Sequence, residues 1–484
     1  MTDPVAGMIP FFVDSDSYLP FADDLQSADP LAFPDYLDEL ARLRDETGAI
    51  ESISVGSARI GGIDVQVAEF DFRFFGGSMG TVTGERLARA LERAAASRTP
   101  FVLRTATGGA RMQEGMASPV QMPKLVAARR TLAEAATPLI ALLGNPTTGG
   151  VLASIAGLAD VIIAEAGATV GFAGPRLVEQ VAGRGLRRGS HTSESAAAAG
   201  LVDAVVSRSD VGAVLTQLLE ILSLDQPQSM SAPPALLGID ELPDGATEPW
   251  AAYENARSPR RPRPGALLEQ LGDLFHLRGD RAGADDEALV VAIGRIRGRR
   301  AAVLALNREM PGPAAYRKAR RVIAIAARLN LPVVTLIDTP GASPLEDSEA
   351  GGVAWEIASL FDAVLDAPVR VLSIVTGEGG SGGALAFACG DVLLAFKGSV
   401  FSVIGPELAA QLLWRDPNKA SEAARLQRPT AEDLVRFGIA DALVDADLNA
   451  ISLGDAIAYH LDLLRQDGLT GAERSRRRRE RWRR

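Results

Sequence analysis

The chain is nearly without the residues from which most enzyme centres are built. It holds one cysteine, Cys389, and three scattered histidines, His191, His276 and His460. A lone cysteine excludes an internal disulfide and any cysteine-based zinc site. It sits in the apolar run 384–389 and reads as a small core residue. The histidines show no metal-ligand spacing, so no metal is expected. Aromatic residues are only 5% of the chain. No stretch reaches the roughly 18 uninterrupted apolar residues of a membrane helix. Residues 1–10 lack the basic-then-apolar pattern of a secretion signal. A reducing cytoplasm is the expected compartment. There is no GxxxxGK[ST] phosphate loop, no GxSxG elbow and no HExxH. The formal net charge of −11 argues against a general nucleic-acid surface.

Glycine, by contrast, is abundant, at 48 of 484 residues. The stretch 105–115, Thr-Ala-Thr-Gly-Gly-Ala-Arg-Met-Gln-Glu-Gly, follows a short apolar run at 101–103 that reads as a buried strand. Adjacent glycines after a strand let the backbone turn sharply and approach a ligand closely. Nothing in this loop is an obvious nucleophile or base. A site here would act through backbone N–H groups.

Taken in order, residues 36–47 have helical spacing, with Leu37, Leu40 and Leu43 on one side. Residues 51–75 alternate like a β-meander. Helices are expected at 84–96, 121–136 and 151–159, and strands at 101–103, 139–143 and 161–164. Alternation of this kind implies an α/β layered fold with mostly parallel pairing. Residues 226–250, with Pro227, Pro233, Pro234, Pro243 and Pro249, read as a linker. Asp285-Asp286 reads as a solvated turn. The arginine-rich cluster 257–264 is either a basic loop or a phosphate contact. The basic tail, 471–484, is either a solvated, disordered end or a docking arm for an acidic partner or anionic cofactor.

The second half repeats the first. Thr105 to Ala110 is answered by Ile337-Asp338-Thr339-Pro340-Gly341-Ala342, and Gly149-Gly150 by the last glycines of 379–383. The span from Gly109 to Gly150 is 41 positions, and from Gly341 to Gly383 it is 42. Asp160 to Ala164 is answered by Asp391 to Ala395, Gly171 to Pro175 by Ser402 to Pro406, and Ala199 to Val206 by Phe437 to Val444. Two copies of one α/β domain are therefore expected, at 1–225 and 251–470. Gly149-Gly150 precedes an expected helix, whose N-terminal N–H groups and dipole favour negative charge. With an N–H of the Gly109–Ala110 loop, this makes a two-donor pocket for an oxyanion. Gly341–Ala342 with Gly382–Gly383 makes a second. One such donor is typically worth about 3–4 kcal/mol in a transition state.

The motifs then meet a family. Residues 29–36, 71–80, 108–115 and 171–176 resemble the β subunit of bacterial acetyl-CoA carboxylase carboxyltransferase. Residues 278–281, 316–319, 337–342, 377–384 and 402–407 resemble its α subunit. The resemblance implies a β–α fusion of two crotonase-like (ββα-superhelix) domains in tandem. It differs from many β subunits in having no four-cysteine zinc ribbon. The implied activity is transfer of carboxyl from carboxybiotin, on a separate carrier protein, to a short acyl-CoA, most simply acetyl-CoA to malonyl-CoA. Carboxyl leaves biotin, the ureido anion takes the acyl α-proton, and the enolate attacks the released CO₂. Implied donors are Gly109, Ala110, Gly149 and Gly150 for the CoA thioester, with Gly108 and Arg111 beside it. For biotin they are Gly341, Ala342, Gly382, Gly383 and Ala384. Arg111, Arg278, Arg281 and Arg317 either hold CoA phosphates or form structural ion pairs. Implied partners are a biotin carboxyl carrier protein and a biotin carboxylase. Sites between two chains imply at least a homodimer. A malonyl-type decarboxylase and a non-catalytic scaffold subunit are the alternatives.

Overall fold

The computed structural model describes residues 9–21, 25–223, 229–243 and 247–483. Residues 1–8, Pro227 and Arg484, on which parts of the signal, linker and tail expectations rest, lie outside them. The backbone divides into two compact units, Met1–Leu222 and Ser223–Arg484.

Among the described residues, unit 1 is built on β1 (Leu19–Pro20), β2 (Ile53–Ile60), β3 (Ile63–Phe70), β4 (Phe101–Thr107), β5 (Leu139–Thr148), β6 (Val161–Glu165), β7 (Val170–Gly171) and β8 (Ala204–Val206). The order is β1-β2-β3-β4-β5-β6-β8, with β7 on the far end of β5. The expected meander is the antiparallel hairpin β2–β3. It closes on Gly61-Gly62, both at positive φ, as a two-residue hairpin turn requires. From β3 onward every pairing is parallel. The helix Thr81–Ser97 connects β3 to β4 and buries Leu87, Ala90, Leu91 and Ala94, a 3–4 spacing that makes one apolar face. It starts before the expected 84 because a distant carboxylate caps it. Glu114 Oε2 accepts from the Thr81 N–H (2.7 Å) and hydroxyl (2.8 Å). No local pattern announces a cap 33 residues away.

Unit 2 repeats this plan with β9 (Leu236–Leu237), β10 (Gly272–Leu277), β11 (Leu289–Ile296), β12 (Arg299–Leu306), β13 (Val333–Thr339), β14 (Val371–Gly380), β15 (Val392–Phe396), β16 (Val400–Ser402) and β17 (Ala442–Val444). The order is β10-β11-β12-β13-β14-β15-β17-β9, with β16 on β14. The helix Pro313–Leu329 matches Thr81–Ser97 in length and in its preceding glycine, Gly312 against Gly80. The α/β class and the doubled architecture are those expected from the repeat.

Three local expectations are corrected. Residues 226–250 are not only a linker, because β9 lies in this segment and pairs antiparallel with β17. Asp285-Asp286 is not a solvated turn. Asp285 Oδ1 pairs with the buried Lys318 ammonium at 2.6 Å, and Asp286 Oδ2 accepts from the Gly312 N–H at 2.8 Å, next to the helix start at Pro313. The tail is neither a disordered end nor a free arm. Residues Gly471–Arg481 form a helix behind a Thr470–Glu473 capping box. Arg478 is fully buried and donates to the carbonyls of Val364, Ala367 and Val369 and to both oxygens of Asp391 (2.6–2.9 Å). Breaking a buried pair strands the partner charge and costs about 3–5 kcal/mol. Arg478→Ala should therefore shift the urea midpoint for unfolding of unit 2 to markedly lower urea. A tail without a structural role would leave that midpoint in place.

Candidate active site

The two glycine loops of unit 1 leave the C-terminal ends of β4 and β5. The strands pair as Thr105↔Leu143 and then Thr107↔Thr147, so β5 carries two extra residues between the two pairings. That bulge brings the Thr147 hydroxyl to 2.7 Å from that of Thr105 and carries β5 on to Thr148. At the end of β4, Gly108 N–H donates to Gly76 O (2.9 Å) and Gly109 N–H to its neighbour Thr107 Oγ1 (3.0 Å). The Gly109 carbonyl accepts from Met79 N–H, and Arg111 N–H donates to Met79 O. At the end of β5, Gly149 N–H donates to Phe172 O at 2.8 Å.

Two donors remain. The Ala110 N–H has no acceptor among the described residues. Gly150 is the second residue of the turn Gly149–Val151, too near its start for an intrahelical acceptor. The two loops touch. A Cβ on Gly149 would lie 2.7 Å from Gly109 Cα, and one on Gly109 would lie 3.2 Å from Gly149 Cα and 3.6 Å from Gly150 N. Both glycines also have positive φ, +112° and +68°. Only glycine permits this approach. The expected helix at 151–159 is instead this single turn followed by a π turn, Leu152–Ala156. Ser154 donates its hydroxyl to Gly150 O (2.6 Å), competing for the acceptor that an α turn would use.

Unit 2 reproduces the device. Gly341, at φ +127°, donates its N–H to Thr339 Oγ1 at 3.1 Å, as Gly109 does to Thr107. A Cβ on Gly383 would lie 2.6 Å from Ala342 N, and one on Gly380 would lie 1.9 Å from Pro340 O. The strand pairing corrects the expected register by one residue. Thr107↔Thr147 matches Thr339↔Gly379, which makes Gly382 the counterpart of Gly150 and Ser381 that of Gly149. Gly149 and Ser381 share the left-handed conformation, at φ +68° and +56°. For a non-glycine residue this is strained, and such strain gathers at functional sites. The helix Ser381–Ala388 leaves the N–H groups of Gly382 and Gly383 unpaired in its first turn. Ala384 stands where intrahelical bonding begins, so it drops out as a donor. Beside Gly383 lies the phenol of Tyr316, 0% exposed, whose oxygen has no hydrogen-bond partner among the described residues.

The nearby charged groups are engaged. Arg111 is 0% exposed, and its guanidinium binds Ser27, Tyr36, Glu51, Ser52 and Ser78. It is an internal tie and cannot reach a ligand phosphate, which corrects its expected place beside the CoA thioester. Arg317 pairs with Asp280 (2.7 Å), and Arg281 donates to the Arg278 carbonyl (3.1 Å). In the cluster 257–264, Arg257 pairs with Glu378 and Glu407, both at 2.7 Å, and Arg261 donates to the Thr376 and Lys397 carbonyls. Burial raises the Asp338 carboxyl, and Arg308, 2.9 Å away, offsets part of that. Each unit therefore offers open backbone donors on two touching loops, with the adjacent carboxylates tied up. Donors so placed can stabilise a developing oxyanion. Thr107 and Thr339 were missed in the sequence, although a threonine two residues before the turning glycine recurs in both copies.

Residues 245–459 match the family described as acetyl co-enzyme A carboxylase carboxyltransferase-like. A Salinispora arenicola protein named acetyl-coenzyme A carboxylase carboxyl transferase subunits beta/alpha is 41% identical over 454 residues, covering 89% of this chain and 80% of that one. A Clostridium tetani protein of the same name is 35% identical over 467 residues, covering 93% and 81%. Among solved structures, transcarboxylase 12S superposes with a TM-score of 0.75 at 22% identity, over 95% of this chain and 89% of that one. A single-chain, multi-domain long-chain acyl-CoA carboxylase gives 0.69 at 20% identity, over 93% and 45%. The structural likenesses establish a shared fold. The sequence identity along most of both chains places this chain in the acetyl-coenzyme A carboxylase carboxyl transferase beta/alpha family.

Proposed function

We propose that this chain moves a carboxyl group from carboxybiotin, borne on a separate carrier protein, to a short acyl-CoA, with acetyl-CoA as acceptor and malonyl-CoA as product. The observation that carries this reading is the duplicated device. In each unit a threonine hydroxyl holds one glycine N–H, and the loop carrying the next alanine N–H packs against the turn at the end of the neighbouring strand. In unit 1, Ala110 and Gly150 hold the thioester carbonyl oxygen as it gains enolate charge, which makes the acyl α-proton removable. In unit 2, Ala342 and Gly382 hold the ureido carbonyl oxygen of biotin. The residues fit that group, since the glycine at 383 keeps the cradle open and a buried phenol without a partner faces it. Bound there, carboxybiotin supplies the transferable carboxyl group. Paired oxyanion sites favour catalysis over a scaffold role.

The partners are a biotin carboxyl carrier protein and a biotin carboxylase, the working form is a homodimer or larger homo-oligomer, and the compartment is the cytoplasm. The test is reconstitution with carrier, carboxylase, ATP and ¹⁴C-bicarbonate. Label should enter malonyl-CoA from acetyl-CoA. Absence of label in any product across acetyl- to butyryl-CoA would sink the reading.

A further inference from the structure

We propose that the Tyr316 hydroxyl is a third donor to the ligand carbonyl in unit 2, acting beside the Ala342 and Gly382 N–H groups. The inference rests on the carboxyltransferase reading and names a catalytic side chain in a site otherwise made of backbone. Tyr316 is the fourth residue of the helix Pro313–Leu329, and its ring lies 5.8 Å from that of Phe387 in the helix Ser381–Ala388. Its oxygen is 2.7 Å from where a Cβ on Gly383 would stand, and Ala342 N is 2.6 Å from the same point. Glycine at 383 thus keeps space between the phenol oxygen and a backbone donor.

Packing explains the ring but not the oxygen. Tyr316 is 0% exposed, and its hydroxyl has no hydrogen-bond partner among the described residues. An unpaired buried hydroxyl is destabilising, and phenylalanine would fill the volume without it. Burial, reinforced by Asp286, pushes the phenol well above its ordinary value, so the oxygen keeps its proton and is a donor. Unit 1 has no such group at the matching position. The fourth residue of its matching helix is Gly84, and the counterpart of Gly383 is Val151. The difference follows the chemistry of the two ligands. A ureido carbonyl, fed by two nitrogens, is a stronger acceptor than a thioester carbonyl, and an oxygen gaining negative charge accepts three hydrogen bonds.

The test is Tyr316→Phe in the full chain. Turnover with carboxylated carrier should fall about 10²–10³-fold, the scale of one oxyanion donor, while KM for acetyl-CoA stays at its wild-type value. The urea midpoint should hold or rise, because no internal hydrogen bond is lost. Independently of turnover, the five tyrosines of a 3-fluorotyrosine-labelled chain give ¹⁹F signals, and the one missing from the variant belongs to Tyr316. Free biotin should shift that signal and acetyl-CoA should not. Wild-type turnover in the variant, a lowered urea midpoint, or a Tyr316 signal unmoved by biotin would each overturn the proposal. If the wild-type chain transfers no carboxyl group but biotin still moves the Tyr316 signal, the acceptor reading fails and the Tyr316 contact stands.

Discussion

Gly149→Ala is expected to lower carboxyl transfer about 10²–10³-fold with little change in KM for acyl-CoA, the signature of a donor that acts in the transition state. The methyl group would stand 2.7 Å from Gly109 Cα, closer than real Cβ contacts come. Its neighbour there is backbone, so no side chain can swing aside. The residue would also be held at φ +68°, where alanine is strained by about 1–2 kcal/mol. Relief comes from parting the two strand ends, and this moves the Ala110 and Gly150 N–H groups out of convergence. Steady-state kinetics check the outcome, with circular dichroism to confirm the fold. A variant at wild-type kcat would show that these two loops do not hold the reacting carbonyl.

The second large effect concerns stability. Glu51→Gln should destabilise unit 1 by about 3–5 kcal/mol, because it leaves the Arg111 charge buried with its main partner gone. Both side chains are 0% exposed. Burial alone would raise the Glu51 carboxyl. The charge and hydrogen bonds of Arg111, with Ser27 and the Ser52 N–H, outweigh it and hold the carboxyl below the ordinary 4.5. A depressed carboxylate stabilises the fold above its unfolded value, and that contribution is lost as pH falls through the folded one. Urea midpoints taken downward from pH 7 should therefore fall more steeply below about pH 4.5 for the wild type than for the variant. Arg111 adjoins Ala110, so the variant should also lose turnover. Parallel pH curves for the two proteins would falsify this account.

Most of the scaffold could be read from local pattern. The helix Tyr36–Thr47 has the expected bounds, and the strands begin where the apolar runs begin. The doubling was legible because both loops and their spacing recur. What escaped depends on residues far apart in the chain. The partners of Arg111 lie 33–84 positions before it at Ser27, Tyr36, Glu51, Ser52 and Ser78, so ion pair and phosphate ligand looked alike. Glycine spacing alone pairs Gly150 with Gly383, one residue past its true counterpart Gly382, because spacing does not show the strand register that fixes it. Tyr316 stands out in the sequence only as part of the motif 316–319, since no local signal shows a hydroxyl left without a partner. The tail helix did carry a signal, the Thr470 and Glu473 capping box, which the run of arginines obscured.

That helix also bears on how the protein is made. Unit 1 is complete once residue 222 has been synthesised. Unit 2 keeps the carbonyls of Val364, Ala367 and Val369 waiting for Arg478, more than a hundred residues later. At about 5–20 residues per second, roughly 10–50 s of translation separate the two events. Unit 1 can therefore fold while unit 2 is still emerging from the ribosome, and unit 2 closes last.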